Sequence, residues 1–166
     1  MPIFCNSEKF YVREFLPVEE TLFCSFFDDK ELTRFLPDLS MKQYKIIFNT
    51  ALQDYQTGPY GRWGIFEKQT NLLIGTCLFR TFTEDTAKME IGYSLIPSHW
   101  GKGIATEIAL ALVTYGFAVT DCNEIMALVE VNNIGSKKVL TKAGFEQIEN
   151  IKRPGIELDC FRIKRN

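Results

Sequence analysis

One stretch, Ile96 to Val113 with the sequence IPSHWGKGIATEIALALV, constrains this chain more than any other. Pro97 cannot donate to a sheet ladder, so it stops the strand-like run KMEIGYSLI that precedes it. Gly101 and Gly103 then leave a bare backbone that an anion can approach closely. The helix that follows adds free N–H groups and a favourable dipole at its N-terminus. Lys102, between the glycines, either adds charge to a phosphate or is simply solvated. A turn that only joins strand to helix would need the same two glycines, so the rest of the chain has to decide what sits there.

Two nucleotide-type readings fit poorly. A Walker A loop needs G-x-x-x-x-G-K-[ST], and Gly101-Lys102-Gly103 lacks both the earlier glycine and the hydroxyl after lysine. A dinucleotide fingerprint is nearer, since Gly101-x-Gly103-x-x-Thr106 follows a strand, opens a helix, and precedes a strand ending in Glu130. That fold, however, turns tightly from strand to glycine, whereas Pro97 to Trp100 intervene here. Too little chain follows Glu130 to complete a doubly wound sheet.

The organisation around the loop is mixed α/β. KFYVREFL reads as a first strand ended by Pro17, followed by helical pieces VEETLFCSFF and DDKELTRFL, the second with Asp28 and Glu31 at capping-box spacing. Ser40 and Gln43 form an S-x-x-Q capping box on a longer helix, with Met41, Tyr44, Phe48, Ala51 and Tyr55 at helical spacing before Gly58-Pro59. Three strand-like runs, GRWGIFEK, LLIGTCLFRTF and KMEIGYSLI, are separated by polar turns and predict an antiparallel meander. After the loop, a helix from about Ile104 carries an apolar stripe of Ile104, Ile108, Ala111, Leu112, Tyr115 and Val119. EIMALVEV reads as a buried strand, GSKKVLTKAGF as a short helix stopped by Gly144, and the last two runs as a hairpin across Arg153-Pro154-Gly155.

Composition excludes several partners. The 166 residues fit one domain, 1–166, with 46% hydrophobic and 24% charged content. A net charge of −2 and a pI near 5.5 give no basic field for nucleic acid or an anionic membrane. Cys5, Cys24, Cys77, Cys122 and Cys160 are scattered and odd in number, as expected of reduced thiols rather than a disulfide frame or metal site. The only histidine, His99, lies in the glycine loop, which argues against a Cys–His nucleophilic pair. The opening MPIFCNSEKF lacks a signal-peptide pattern, so the expected location is cytoplasmic.

Two motifs carry a resemblance to a known family. EIGYSLIPSHWGKGIATEIALALVTYGF resembles the central motif of the GNAT family of N-acetyltransferases, its R/Q-x-x-G-x-G/A filled by Trp100, Gly101, Lys102, Gly103, Ile104 and Ala105. NNIGSKKVLTKAGF is similar to the second signature, here Asn133, Ser136, Gly144 and Phe145. GRWGIFEKQTNLLIGTCLF matches the family's central hairpin in character, and the W-G-K-G-x-A-T-E wording resembles the branch of ribosomal-protein N-terminal acetyltransferases (RimJ/RimL-like).

The resemblance implies an α/β (α+β) fold: a mixed, mostly antiparallel sheet whose fourth and fifth family strands splay apart, with helices on both faces. It implies acetyl-CoA as cofactor. Pyrophosphate would lie on the loop from Trp100 to Thr106, and the pantetheine arm would pair with Leu95, Ile96 and Pro97. Asn133 and Ser136 would complete the coenzyme A site. Direct attack by an amine needs a neutral nucleophile, a donor for the oxyanion, and a proton for the departing thiolate. Glu90 is the expected base, on the same strand face as Gly92 and Ser94; the alternative is an exposed strand carboxylate with no chemical role. The family's usual tyrosine acid falls at Leu140, so Ser136 is the expected donor, with an N-cap role as its alternative. The acceptor expected is a protein N-terminal amine, with a small amine such as a polyamine, aminoglycoside or amino acid as the alternative. A non-catalytic acyl-CoA-binding module is the rival reading, and the protein is expected as a monomer or homodimer with no metal.

Overall fold

A computed structural model describes residues 4–166, so Met1 to Ile3, part of the expected domain and of the segment read for targeting, lie outside the described residues. Eight strands form one sheet: β1 (Cys5–Asn6), β2 (Phe10–Arg13), β3 (Gly61–Glu67), β4 (Leu73–Thr81), β5 (Met89–Leu95), β6 (Glu124–Glu130), β7 (Glu146–Arg153) and β8 (Ile156–Lys164). Their order is β1-β2-β3-β4-β5-β6-β8-β7, and every neighbour pair is antiparallel except β5–β6. The expected mixed, mostly antiparallel sheet and its β3–β4–β5 meander are therefore present. The β5–β6 crossover runs through α4 (Ile104–Val119).

Alternation along the strands fills apolar clusters on both faces of the sheet. Ile65 packs with α4 on one face of the sheet, while its neighbour Phe66 joins Phe15, Phe23, Tyr44 and Phe48 on the other. The second group comes largely from α1 (Glu20–Phe26) and α3 (Met41–Thr57), so helices cover both faces. The α3 capping box forms as expected: Ser40 Oγ accepts the Gln43 N–H at 3.2 Å, and Gln43 Oε1 accepts the Ser40 N–H at 2.8 Å.

Several expectations shift in detail. DDKELTRFL yields only one turn, α2 (Lys30–Thr33), capped by Asp29 rather than Asp28; the Asp29 carboxylate accepts the N–H groups of Glu31 and Leu32. The first strand is confined to Phe10–Arg13, with the two-residue β1 pairing beside it. On α4 the buried face is Ile104, Ile108, Ala109, Leu112, Val113 and Gly116, whereas Val119 is exposed and Ala111 and Tyr115 are half-buried. Gly116 sits where the helix touches the sheet, for a Cβ there would stand 2.5 Å from Phe79 Cε2. No helix among the described residues is long and apolar enough to cross a membrane. All five cysteines are free thiols.

Candidate active site

The glycine loop leaves β5 through a 3₁₀ turn, Pro97–His99. Gly101 and Gly103 have φ of 72° and 80°, left-handed values that L side chains rarely adopt, so both positions require glycine for the turn itself. No atom lies within 4 Å of where a Cβ would stand at either position, so the loop is open on the side that the missing side chains would fill. Gly103 is the N-cap of α4 and supplies no side-chain acceptor, which leaves the first-turn N–H groups available to a ligand. That is the donor set a pyrophosphate needs. The loop is anchored from behind: Trp100 Nε1 donates to the Leu95 carbonyl at 2.8 Å, and His99 Nε2 lies 3.0 Å from Glu67 Oε1. The indole N–H of Trp100 is thus committed to holding the loop, while the side chain as a whole is 46% exposed.

A cleft of about 520 Å³ lies over this loop. Of the expected cofactor residues it brings together Leu95, Trp100, Gly101, Gly103, Ile104, Ala105, Thr106, Asn133 and Ser136. Ile96, Pro97 and Lys102 do not line it. The backbone of the first two is spent within the chain: the Ile96 N–H donates to Ile74, and the carbonyls of Ile96 and Pro97 accept from His99 and Trp100. Groups alternate along an antiparallel ladder, so with Ile96 facing β4, Tyr93 and Leu95 turn their N–H and C=O groups away from β4. The edge open to a pantetheine arm therefore consists of the Tyr93 backbone and the Leu95 N–H, beginning two positions earlier than the sequence implied.

That edge exists because β5 and β6 pair only from Met89–Ile125 to Ile91–Ala127 and then diverge. The splay connects the first cleft to a second of about 450 Å³ on the α1–α3 face. Tyr93, Ser94, Asn133 and Ser136 line both. Here the hydroxyls of Tyr93 and Ser136 lie 3.1 Å apart. Burial pushes the Tyr93 phenol up to about 12, with the Ser136 hydrogen bond opposing in part, so the phenol keeps its proton across the physiological range. The N-cap of α5 (Ile134–Lys142) is Asn133, whose Oδ1 accepts the Ser136 N–H at 3.2 Å. The Ser136 hydroxyl is therefore not a capping group. Leu140 is buried and packs in the core.

Glu90, Gly92 and Ser94 share one face of β5 and line the second cleft, as the period-two reading required. Glu90 is not a lone carboxylate. It is 5% exposed, accepts from Arg80 Nε and Nη2 at 3.2 and 3.1 Å, and lies 3.5 Å from Arg153 Nη2. Arg153 in turn bonds Glu84 at 2.7 and 3.0 Å. The Arg80 contact follows from register, because Arg80 and Glu90 are direct cross-strand partners. Tyr93, half-buried in a strand and bonded to a residue 43 positions away, lies inside the quoted central motif but was given no role there, and only its place between Gly92 and Ser94 could have drawn attention to it.

The sequence profile of the acetyltransferase (GNAT) domain matches residues 10–146. The chain is 31% identical over 144 residues to the uncharacterized N-acetyltransferase p20 of Bacillus licheniformis, covering 85% of this chain and 81% of that protein. It is 36% identical over 131 residues to the uncharacterized N-acetyltransferase YoaA of Bacillus subtilis strain 168, covering 77% and 73%. In fold it is similar to RimL, a ribosomal L7/L12 alpha-N-protein acetyltransferase solved in complex with coenzyme A. That structure superposes with a TM-score of 0.82 at 18% identity over 98% of each chain. A sheet splayed beside a glycine loop at a helix N-terminus, together with these matches, defines the class: the chain belongs to the GNAT family of acetyltransferases. It is an acetyl-CoA-dependent N-acetyltransferase.

Proposed function

We propose that this protein transfers the acetyl group of acetyl-CoA to the N-terminal amine of a protein by direct attack, with one cleft for each reactant. The observation that carries the reading is the meeting of two clefts, one over the glycine loop and one on the α1–α3 face, at the splay beside Tyr93 and Ser136. Gly101, Gly103 and the first turn of α4 would hold the pyrophosphate, and the Tyr93 backbone with the Leu95 N–H would hold the arm. Bound there, acetyl-CoA supplies an activated acetyl thioester. Glu90, oriented by Arg80 and Arg153, takes the proton of the entering ammonium, through water where the two do not touch. The Ser136 hydroxyl, accepting from the Tyr93 phenol, donates its own proton toward the departing sulfur, standing in for the tyrosine that Leu140 replaces. A protein N-terminus is favoured by the likeness of fold to RimL and by the wording of the glycine motif.

Thiol release from acetyl-CoA, followed over a panel of peptides, polyamines, aminoglycosides and amino acids, tests this, with mass spectrometry locating the acetyl group. Turnover on peptide α-amines is the expected result. Turnover confined to small amines would overturn the acceptor assignment. No thiol release with any amine of the panel, while coenzyme A still raises the melting temperature, would indicate a binding module without catalysis.

A further inference from the structure

The floor of the acceptor cleft carries three guanidiniums, of Arg62, Arg80 and Arg153. Arg80 is held by Glu90, and Arg153 by Glu84 and Glu90. Arg62 has no such partner. Among the described residues no carboxylate lies within ion-pair distance of it, and its guanidinium makes no hydrogen bond to the protein, although the residue is half-buried. Leaving a charge in that position is costly unless something pairs with it. Burial, then the neighbouring charge of Arg80, push the Arg62 guanidinium down to about 10. An anion in the cleft would relieve both effects. The anion is not part of coenzyme A, because Arg62 lines only the cleft on the α1–α3 face and not the one over the glycine loop.

Register fixes how far this charge is from the reaction. Arg62 pairs with Leu78 on β4, and Leu78 pairs with Gly92 on β5, so the three lie in a line across the sheet. Gly92 is the first residue of β5 beyond its pairing with β6. Two strand spacings separate the Arg62 and Gly92 backbones, about 10 Å. The Arg62 side chain shares the floor with Leu78 and Gly92, and reaches an anion only a few bonds from an amine placed at the splay.

We propose that the acceptor is a primary amine that carries a carboxylate near it, and that Arg62 receives this carboxylate as a specificity-determining residue. The proposal rests on the acetyltransferase reading above. The shared chemistry has two sources, an acidic side chain next to a peptide N-terminus or the α-carboxylate of a free amino acid.

Two pairs of acceptors separate them: the amidated tripeptides Ala-Asp-Ala and Ala-Asn-Ala, and free alanine against alaninamide. For at least one pair, kcat/KM should favour the acid by about tenfold or more, and Arg62→Met should bring that ratio to about one. Arg62→Lys should retain part of the preference, since it keeps the charge and loses the bidentate fork. Equilibrium binding of the matching N-acetylated products, measured in the presence of coenzyme A, should show the same preference and the same loss, independently of turnover. A coenzyme A-induced rise in melting temperature in each variant confirms that it is folded. Equal use of acid and amide by the unaltered protein would overturn this proposal and leave the acetyltransferase reading intact. A preference that survives Arg62→Met would remove Arg62 from the role. Failure of every amine to elicit thiol release would overturn the acetyltransferase reading itself.

Discussion

Replacing Gly103 with valine separates what the glycine loop does for the fold from what it does for the ligand. Gly103 has φ of 80° with nothing within 4 Å of a Cβ, so the substitution strains the backbone without colliding with the protein. Holding a non-glycine residue in that region costs about 1–3 kcal/mol. For 166 residues the unfolding entropy is roughly 0.35 kcal/mol/K, so the unliganded melting temperature should fall by about 3–9 °C. Coenzyme A at about a hundred times its dissociation constant stabilises by roughly 2.7 kcal/mol, a rise of about 8 °C in the parent protein. In Gly103→Val that rise should vanish, because the new side chain fills the space from which phosphate reaches the N–H groups. Gly155→Val is the matched control: its φ is 75°, its Cβ also meets nothing, and it lies in the β7–β8 turn. It should lower the melting temperature similarly and keep the full response to coenzyme A. Thermal scans of the three proteins with and without coenzyme A give the answer. A Gly103→Val protein with the parent's full response would refute the cradle.

Glu90→Gln should lower kcat by about 10²–10⁴ at neutral pH, and the loss should shrink as pH rises and free amine becomes abundant; an unchanged rate would make Glu90 a bystander. Ser136→Ala and Tyr93→Phe should each lower kcat by about tenfold to a hundredfold with coenzyme A affinity retained, and Leu140→Tyr should rescue the first; a matched loss of affinity would assign the pair to binding. Because the Tyr93 proton is held up to about 12, rates followed to pH 10 should climb without an alkaline fall, and a descending limb near pH 9 would contradict the donor role. Gly116→Ala should cost about 1–2 kcal/mol despite the gain in helix propensity, since the added methyl meets Phe79 at 2.5 Å and Ile125 at 2.9 Å; a stabilised protein would show that the helix shifts freely.

The parts of this molecule that local chemistry dictates were legible before the structure. Period-two runs broken by polar turns give the meander, and Pro97, Gly101 and Gly103 give the strand–loop–helix passage. The α4 face was harder, because α4 is apolar on most sides and no polar stripe fixes its phase; Ala109, Val113 and Gly116 replace Ala111, Tyr115 and Val119. Adjacent aspartates made the α2 cap ambiguous by one residue, and backbone geometry chose Asp29. The site divides along the same line. The loop positions follow from sequence spacing, but the partners of Glu90 come from β4 and from the distant β7–β8 hairpin, and the Tyr93–Ser136 contact joins a strand to a helix. Arg62 has no motif at all, since what distinguishes it is the absence of a carboxylate around it.

The most direct test of the two-cleft account is a structure of the protein with coenzyme A and a peptide acceptor bound together. The account predicts pyrophosphate on the N–H groups around Gly101 and Gly103, the sulfur beside the Ser136 hydroxyl, and the peptide amine entering from the α1–α3 face between Tyr93 and Glu90. Coenzyme A lying in the cleft floored by Arg62, or a peptide amine reaching the sulfur from the α4 side, would contradict it.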